Sequence, residues 1–219
     1  MTSSPTAPPI GCLTNEALHV RAILRPMTDF SMSQDSVAGW VAISLAVVTV
    51  ASILSLIVFY IARGPFGLIN DAGNGLIGVL SAVLAILLVR NAGWPGVAAA
   101  VVGAAFVVWG SWLVMSGGTG FVLAGFVSTI GLGLIGVWLA SLAWSPMADQ
   151  WSSGLRLLAQ VAAIAMVIGG VAAVPGALMG IDAFEDVPPW LWLFSLGWLG
   201  TYVLYPLWSI WYGRQLIGG

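Results

Sequence analysis

Six long apolar runs follow one another along the chain, separated by short polar breaks. The runs span roughly 39–62, 67–90, 94–115, 121–144, 155–180 and 189–212. An α-helix rises 1.5 Å per residue, so about 20 apolar residues cross a hydrocarbon core about 30 Å thick. The pattern therefore predicts an all-α integral membrane protein in which residues 38–214 form a bundle of six transmembrane helices.

The breaks carry residues that end helices. Arg63-Gly64-Pro65 follows the first run, Asn91-Ala92-Gly93 precedes the third, and Ser116-Gly117-Gly118-Thr119-Gly120 precedes the fourth. Glycine adopts backbone conformations that other residues avoid, and proline lacks the N–H that a helix interior needs. Because these breaks are short, consecutive helices are expected to be antiparallel neighbours. Pro206 lies inside the sixth run and should kink that helix.

Residues 1–37 differ from the rest of the chain because they are polar and contain several Pro and Ser residues. They have too little apolar surface to fold by themselves, which predicts a disordered tail. Over the whole chain 60% of residues are hydrophobic and only 6% are charged, whereas soluble domains carry about 25% charged residues. Such a chain cannot cover itself with a polar surface, so the lipid bilayer is its expected surrounding.

The rare reactive residues exclude several classes of function. The chain has no Lys, a single Cys (Cys12) and a single His (His19), so internal disulfides, thiolate metal clusters and histidine metal sites are not expected. The sequence has neither a basic patch for nucleic acid nor a known enzyme motif. It therefore predicts a protein that is not an enzyme, has no cofactor and does not bind nucleic acid.

The arginines indicate the orientation of the helices, because cytoplasmic loops of membrane proteins are enriched in Lys and Arg. Under the six-helix topology, five arginines share one side with the termini: Arg21, Arg25, Arg90, Arg156 and Arg214. Arg63 lies on the other side, together with the acidic loop of Asp182, Glu185 and Asp186. Both termini are therefore predicted to be cytoplasmic, in a multi-pass protein of a bacterial-type cell (cytoplasmic) membrane.

Two helical hairpins resemble each other in sequence. Gly75-Leu76-Ile77-Gly78-Val79 recurs 58 residues later as Gly133-Leu134-Ile135-Gly136-Val137. In the preceding helices, Gly39-Trp40 corresponds to Gly93-Trp94 at an offset of 54 residues. The bundle thus looks like the product of duplicated hairpins, related by an axis along the membrane normal. Chance is the alternative, because Gly, Ala, Leu and Val are abundant in membrane helices.

A stripe of small residues follows the third helix, where Gly96, Gly103 and Gly110 recur every seven residues. Small residues let membrane helices approach closely, because lipid supplies no hydrophobic drive for helix association. Two uses of this stripe fit the sequence. It packs against a neighbour inside the bundle, or it binds a second copy of the chain or a partner membrane subunit.

The most unusual polar residues are Asn70, Asp71 and Asn74, near the start of the second run. A carboxylate at the centre of a membrane costs about 2.5–3.5 kcal/mol, so such a residue is a candidate for function. Under the duplication, Ser128 and Thr129 occupy the positions equivalent to Asn70 and Asp71. These five residues form the candidate site for a ligand, an ion or a proton. No catalytic residue and no metal site are assigned.

Other interpretations of this site fit the sequence as well. Asn70 or Asp71 caps the second helix, by accepting hydrogen bonds from its first N–H groups. Arg63 then pairs with Asp71 at the membrane surface. Gln160 and Tyr202, from the fifth and sixth runs, are further polar residues whose position the sequence alone does not give.

Two functions are the leading candidates, and the binding of an apolar ligand such as a pigment or quinone between the helices stays open as well. The first is a non-enzymatic accessory or scaffold membrane protein that acts through helix packing, supported by the glycine stripe and the low polar content. The second is a small transporter or channel whose solute, ion or proton site lies around Asp71. A polar layer that faces the bundle interior would favour the second function, whereas helix capping or a lipid-facing position would favour the first.

Overall fold

The computed structural model describes residues 34–62 and 64–218, and all regular elements within these two stretches are helical. Five helices are long and apolar enough to cross a membrane. They are α1 (Gln34–Ala62), α2 (Phe66–Leu87), α3 (Val89–Met115), α4 (Phe121–Ala143) and α5 (Ser153–Met179). Most of the tail predicted over residues 1–37, and the predicted ion-pair partner Arg63, lie outside the described residues.

The sixth apolar run is not one regular helix. Its elements are a 3₁₀ helix (Pro189–Phe194), α6 (Ser195–Leu199), a π turn (Gly200–Leu204) and α7 (Tyr205–Gly218). In a regular α-helix the ring of Pro206 would collide with the carbonyl group of Tyr202, four residues before it. The wider turn avoids this collision, and the N–H of Tyr205 bonds to the carbonyl oxygen of Gly200. The sequence predicts a helix over about 189–212 that is kinked at Pro206, and the structure shows a more extensive interruption, with a 3₁₀ helix at its beginning and a π turn just before the proline.

Two helix boundaries differ from the predicted ones. α1 begins at Gln34, so the last residues of the predicted tail are helical. Asp35 lies in the first turn, where the helix dipole stabilises a negative charge, and the Gln34 side-chain amide donates to the carbonyl oxygen of Leu87 at 2.8 Å. At the second boundary, α3 begins at Val89 but breaks at Gly93, whose φ of 71° suits glycine. This break directly precedes the predicted start at residue 94.

The helices are arranged so that each long helix packs on the next one along the chain, and α7 returns to α1. The first and last helices approach closely, because a Cβ on Gly213 of α7 would lie 2.7 Å from the carbonyl oxygen of Gly39 on α1. The described helices therefore form a closed circuit of neighbours, and their inner faces share one interior.

The glycine stripe of α3 lies against α4. A Cβ on Gly103 would lie 2.5 Å from the carbonyl oxygen of Gly131. A Cβ on Gly110 would lie 2.9 Å from the carbonyl oxygen of Ala124. Real Cβ atoms do not approach other atoms so closely, so this contact requires glycine. Of the two predicted uses of the stripe, packing inside the bundle is the one that the structure shows.

The two similar hairpins pack through equivalent glycines. Gly73 of α2 lies against Ser52 of α1, and Gly131 of α4 lies against Phe106 of α3. The two glycines are 58 residues apart and their partners are 54 residues apart, which are the two offsets of the sequence repeat. Later glycines of α2 and α4 contact the helix that follows, in the pairs Gly78 with Val107 and Gly136 with Met166. The contacts of Gly73 and Gly131 thus follow both offsets of the sequence repeat, whereas Gly78 and Gly136 share the offset of 58 residues but contact partners that do not correspond.

One end of the interior is filled by aromatic side chains, which we call the aromatic core. Trp138, Tyr205, Trp208 and Tyr212 are fully buried there. The rings of Tyr205 and Trp208 stack with centroids 5.7 Å apart, and those of Trp208 and Tyr212 stack at 5.1 Å. Aromatic side chains bury about 150–250 Å² each. The aromatic core lies at the end of the bundle where α1 begins and α2 ends.

Candidate functional site

A cavity of about 230 Å³, which we call the polar cavity, lies toward the opposite end of the interior. It is bounded by α1, α2, α3, α4 and the stretch from α6 through the π turn. All five residues of the predicted site line it: Asn70, Asp71, Asn74, Ser128 and Thr129. The structure therefore brings the unusual polar residues of the second and fourth helices to one place inside the bundle.

Asn70 and Asp71 do not cap α2. The helix begins at Phe66, and the N–H of Ile69 already bonds to the carbonyl oxygen of Pro65 at 3.2 Å. Asn70 and Asp71 thus lie beyond the free N–H groups of the first turn, where a cap acts. The capping interpretation is wrong, because α2 begins at Phe66, before both of these residues.

Both residues are instead buried, with 1% of Asn70 and 7% of Asp71 exposed. The Asn70 side-chain amide donates to Oδ1 of Asp71 at 3.2 Å. The Oδ1 of Asn70 has no hydrogen-bond partner within the described part of the chain. A buried acceptor in this state costs about 1–3 kcal/mol. The pair therefore supplies two kinds of oxygen to the cavity wall, one from an amide and one from a carboxylate.

Hydrogen bonds tie Asn74 and Thr129 to the last helical stretch. The Tyr202 hydroxyl donates to Oδ1 of Asn74 at 2.7 Å. Thr129 Oγ1 donates to the carbonyl oxygen of Gly125 at 2.7 Å and accepts from Nε1 of Trp198 at 3.2 Å. Tyr202 belongs to the π turn, so this irregular turn contributes directly to the site. The structure therefore includes Tyr202 among the residues of the site.

Two polar residues of the cavity wall are missing from the sequence prediction. Ser111 and Thr201 are buried, and neither hydroxyl has a partner in the described residues. Each of the two residues has a signal in the sequence. Ser111 directly follows Gly110 of the glycine stripe, and Thr201 directly precedes Tyr202. Gln160 is not one of the residues that line the polar cavity.

Asp71 is the charged residue of this cavity, and no described Arg lines the wall with it. Within residues 34–62 and 64–218 the structure shows one ion pair, between Arg156 and Asp149 at 2.7 Å, outside the polar cavity. Removing a carboxylate from water without a counter-charge is strongly unfavourable. The described part of the cavity is therefore a buried acidic site without its own cation.

The chain matches no protein-family model, no curated protein and no solved structure. The class of protein is defined by the geometry alone. It is a helical protein with five helices of membrane-spanning length and an internal polar cavity that contains a carboxylate.

Proposed function

We propose that the chain is a small membrane transporter that binds its solute in the polar cavity. One observation carries this proposal. Oδ1 of Asn70, Oγ of Ser111 and Oγ1 of Thr201 are buried and have no partner within residues 34–62 and 64–218, and these residues line one space with Asp71. Folded proteins leave few buried polar groups unpaired. A bound solute would complete these hydrogen bonds. Concave sites with a few convergent polar groups are typical binding sites for small molecules.

The proposed topology has six membrane crossings and both termini on the cytoplasmic side of the cell membrane. The sixth crossing is the broken helical stretch from Pro189 to Gly218. Broken helices occur in membranes where they line a cavity, as this one does. Arg90, Arg156 and Arg214 support the orientation, because they lie in the first turn of α3, the first turn of α5 and the last part of α7, at the end of the aromatic core. The polar cavity then lies nearer the outer surface.

The equivalent glycine contacts support an origin by duplication of a hairpin. Under this proposal the polar cavity lies between two unequal copies. One copy supplies Asn70 and Asp71, and the other supplies the neutral, smaller Ser128 and Thr129. The chemistry of the site would thus have diverged within one chain, while the packing glycines stayed in place.

The accessory or scaffold function has less support. Its main argument was the glycine stripe of α3, which packs against α4 inside the bundle. The unusual polar residues face the interior as well. A homo-oligomer or a partner membrane subunit is compatible with transport, and it would use the exposed apolar faces of the helices.

The first test measures solute binding as thermal stabilisation of the protein in lipid nanodiscs. A ligand that binds only the folded state stabilises it by about 2.7 kcal/mol at one hundred times its Kd. A panel of small cationic, neutral and anionic solutes is applied to the wild type, Ser111→Ala and Ser209→Ala. Ser209 is the matched control, because its hydroxyl is also buried and has no partner among the described residues, but Ser209 does not line the cavity. We expect Ser111→Ala alone to weaken binding, by about tenfold.

Uptake into liposomes then distinguishes a transporter from a protein that only binds. We expect the solute that stabilises the protein to be taken up, and Asp71→Asn to lower this uptake. Binding without uptake would overturn transport and leave a binding protein. If no solute of the panel stabilises the wild type, or if the two serine variants lose the shift equally, the polar cavity is not a solute site.

A further inference from the structure

A second cavity of about 380 Å³ adjoins the polar cavity, and we call it the vestibule. Four residues line both spaces: Leu56, Asp71, Val114 and Phe121. Asp182 and Glu185, two exposed residues of the loop between α5 and the 3₁₀ helix at Pro189, line the vestibule as well. The acidic loop therefore lies at the outer end of a path whose inner end is Asp71.

The two loop carboxylates have different roles. Asp182 accepts hydrogen bonds from the N–H groups of Gly120 at 2.7 Å and Leu123 at 3.2 Å, at the beginning of α4. Its charge is thus partly balanced by the helix dipole. Glu185 forms no ion pair within the described residues. Glu185 therefore supplies the vestibule with a negative charge that is open to water.

The vestibule also contains several aromatic rings. Phe59, Tyr60, Phe121 and Phe184 line it together with the carboxylates. The face of an aromatic ring attracts a cation, by about 0.5–1 kcal/mol at an exposed site. Clefts lined by one sign of charge also raise the local concentration of the opposite ion. Both effects select cations on the way to Asp71.

The inner cavity suits an organic cation better than a bare metal ion. Much of its wall is apolar, with Ile53, Leu56, Ile77, Val107 and Leu132 among its residues. The described part of the chain contains no group of three His, Cys, Asp or Glu residues that could hold a metal. Hard metal ions need several oxygen ligands at short range, usually with more than one carboxylate. A volume of about 230 Å³ exceeds what a single ion fills.

We propose that the solute is a small protonated amine with an apolar body, which reaches the polar cavity through the vestibule. This inference rests on the proposed function and adds the charge and chemical class of the solute. The ammonium group pairs with the Asp71 carboxylate, and its remaining N–H groups face the part of the wall formed by Asn70 and Thr201, whose side-chain oxygens have no partner among the described residues. The carbon skeleton lies against the apolar wall.

Three probes with four carbon atoms and a branched skeleton test the charge: isobutylammonium, isobutanol and isobutyrate. Binding to the protein in nanodiscs is measured by calorimetry at neutral pH and low salt. We expect isobutylammonium to bind at least about tenfold more tightly than isobutanol, because a hydrogen bond to a charged group is worth about 1.5–3 kcal/mol. Isobutyrate should not bind measurably. Asp71→Asn should remove the preference for isobutylammonium over isobutanol.

A second pair of variants tests the vestibule without touching the buried site. Glu185→Gln removes the exposed charge that lines the vestibule. Asp186→Asn is its matched control, because Asp186 is a neighbouring exposed carboxylate that does not line this space. We expect Glu185→Gln to slow isobutylammonium binding about two- to fivefold at low salt, and the difference to vanish at about 1 M salt, where charges are screened within about 3 Å. Asp186→Asn should have a smaller effect.

The outcomes test the inference of a cationic solute separately from the proposed solute site. If isobutanol or isobutyrate binds as tightly as the amine and Ser111→Ala weakens that binding, the cation inference fails and the solute site stands. Equal effects of Glu185→Gln and Asp186→Asn would overturn the vestibule as the access path. If neither isobutylammonium nor any other amine of the panel binds, the inference fails, and the neutral and anionic solutes of the panel decide the proposed function separately.

Discussion

The two ends of the bundle interior contain unpartnered polar atoms in different surroundings. At the aromatic core, Nε1 of Trp138, Nε1 of Trp208 and the Tyr212 hydroxyl have no hydrogen-bond partner in the part of the chain that the structure describes. Aromatic rings fill the space around these atoms, and Trp138 meets Trp208 edge to face with centroids 6.2 Å apart. Such contacts permit weak N–H···π interactions. At the other end, Asn70 and Thr201, whose side-chain oxygens have no hydrogen-bond partner among the described residues, line about 230 Å³ of open space.

This difference shows when an unpaired polar group indicates a ligand. An indole N–H surrounded by rings contributes packing area whether or not its hydrogen bond forms, because most of its side chain is apolar. A serine, threonine or asparagine beside a cavity has little apolar area to offset its unmet hydrogen bond. The aromatic core is therefore expected to determine stability, and the polar cavity to determine binding.

The largest effect is expected from removing a ring of the aromatic core. Trp208→Ala deletes a fully buried side chain that stacks on Tyr205 and Tyr212. It should lower the free energy of unfolding by about 3–5 kcal/mol. Thermal unfolding in nanodiscs measures this loss. Trp94→Ala is the control, because Trp94 is 74% exposed, and its change should stay within about 0.5 kcal/mol. Equal losses would contradict the assignment of stability to the aromatic core.

A smaller effect is expected from a pair of glycines on α4. A Cβ on Gly131 would lie 2.8 Å from the Cβ of Phe106, whereas a Cβ on Gly125 would meet nothing closer than Trp198 at 3.9 Å. Gly131→Ala should therefore destabilise the protein by about 1–3 kcal/mol. Gly125→Ala adds a good helix former beside the polar cavity and should stabilise by up to about 1 kcal/mol. Thermal unfolding of both variants under one set of conditions tests this contrast. Similar losses of stability in the two variants would show that the cavity has no room for a methyl group at Gly125.

The smallest effect is expected from two tyrosines that are three residues apart. Tyr205→Phe removes the hydroxyl that donates to Ser81 at 3.1 Å in a closed region, so it should cost about 1 kcal/mol of stability. Tyr202→Phe removes the bond to Asn74, but water in the polar cavity can replace it, so stability should change less. Solute affinity should show the reverse order. A larger loss of solute affinity in Tyr205→Phe than in Tyr202→Phe would contradict the assignment of binding to the polar cavity and of stability to the aromatic core.

Much of the helical framework could be predicted because its signals are local. The apolar runs locate the five long helices, and glycine and proline mark most of their ends. The predicted site residues share one cavity because Asn70 and Asn74 are four residues apart on a helix, and because the repeat relates Asn70 to Ser128. Spacing along a helix and an internal repeat are both properties of the sequence itself.

The remaining features depend on the direction that each helix faces. In a soluble helix the apolar face points inward, but in a membrane-spanning helix both faces are apolar. Val107 is buried and Val108 of the same helix is exposed, yet the two residues are identical. Periodicity therefore gives no signal that Ser111 and Thr201 point into the cavity. The π turn was missed because Pro206 predicts a disturbance of the helix but not its form.

The π turn affects how the sequence of this chain should be aligned with those of related chains. A π turn holds about one residue more than an α-helical turn, so it rotates the preceding segment by about 100° relative to α7. Trp198 and Tyr202 meet α4 and α2 through this rotation. Deleting Gly200 or Leu204 would turn Trp198 away from Thr129 without removing any residue that lines the cavity. In an alignment, a single-residue gap at this place would therefore mark chains that have lost the site, even where every polar residue is retained.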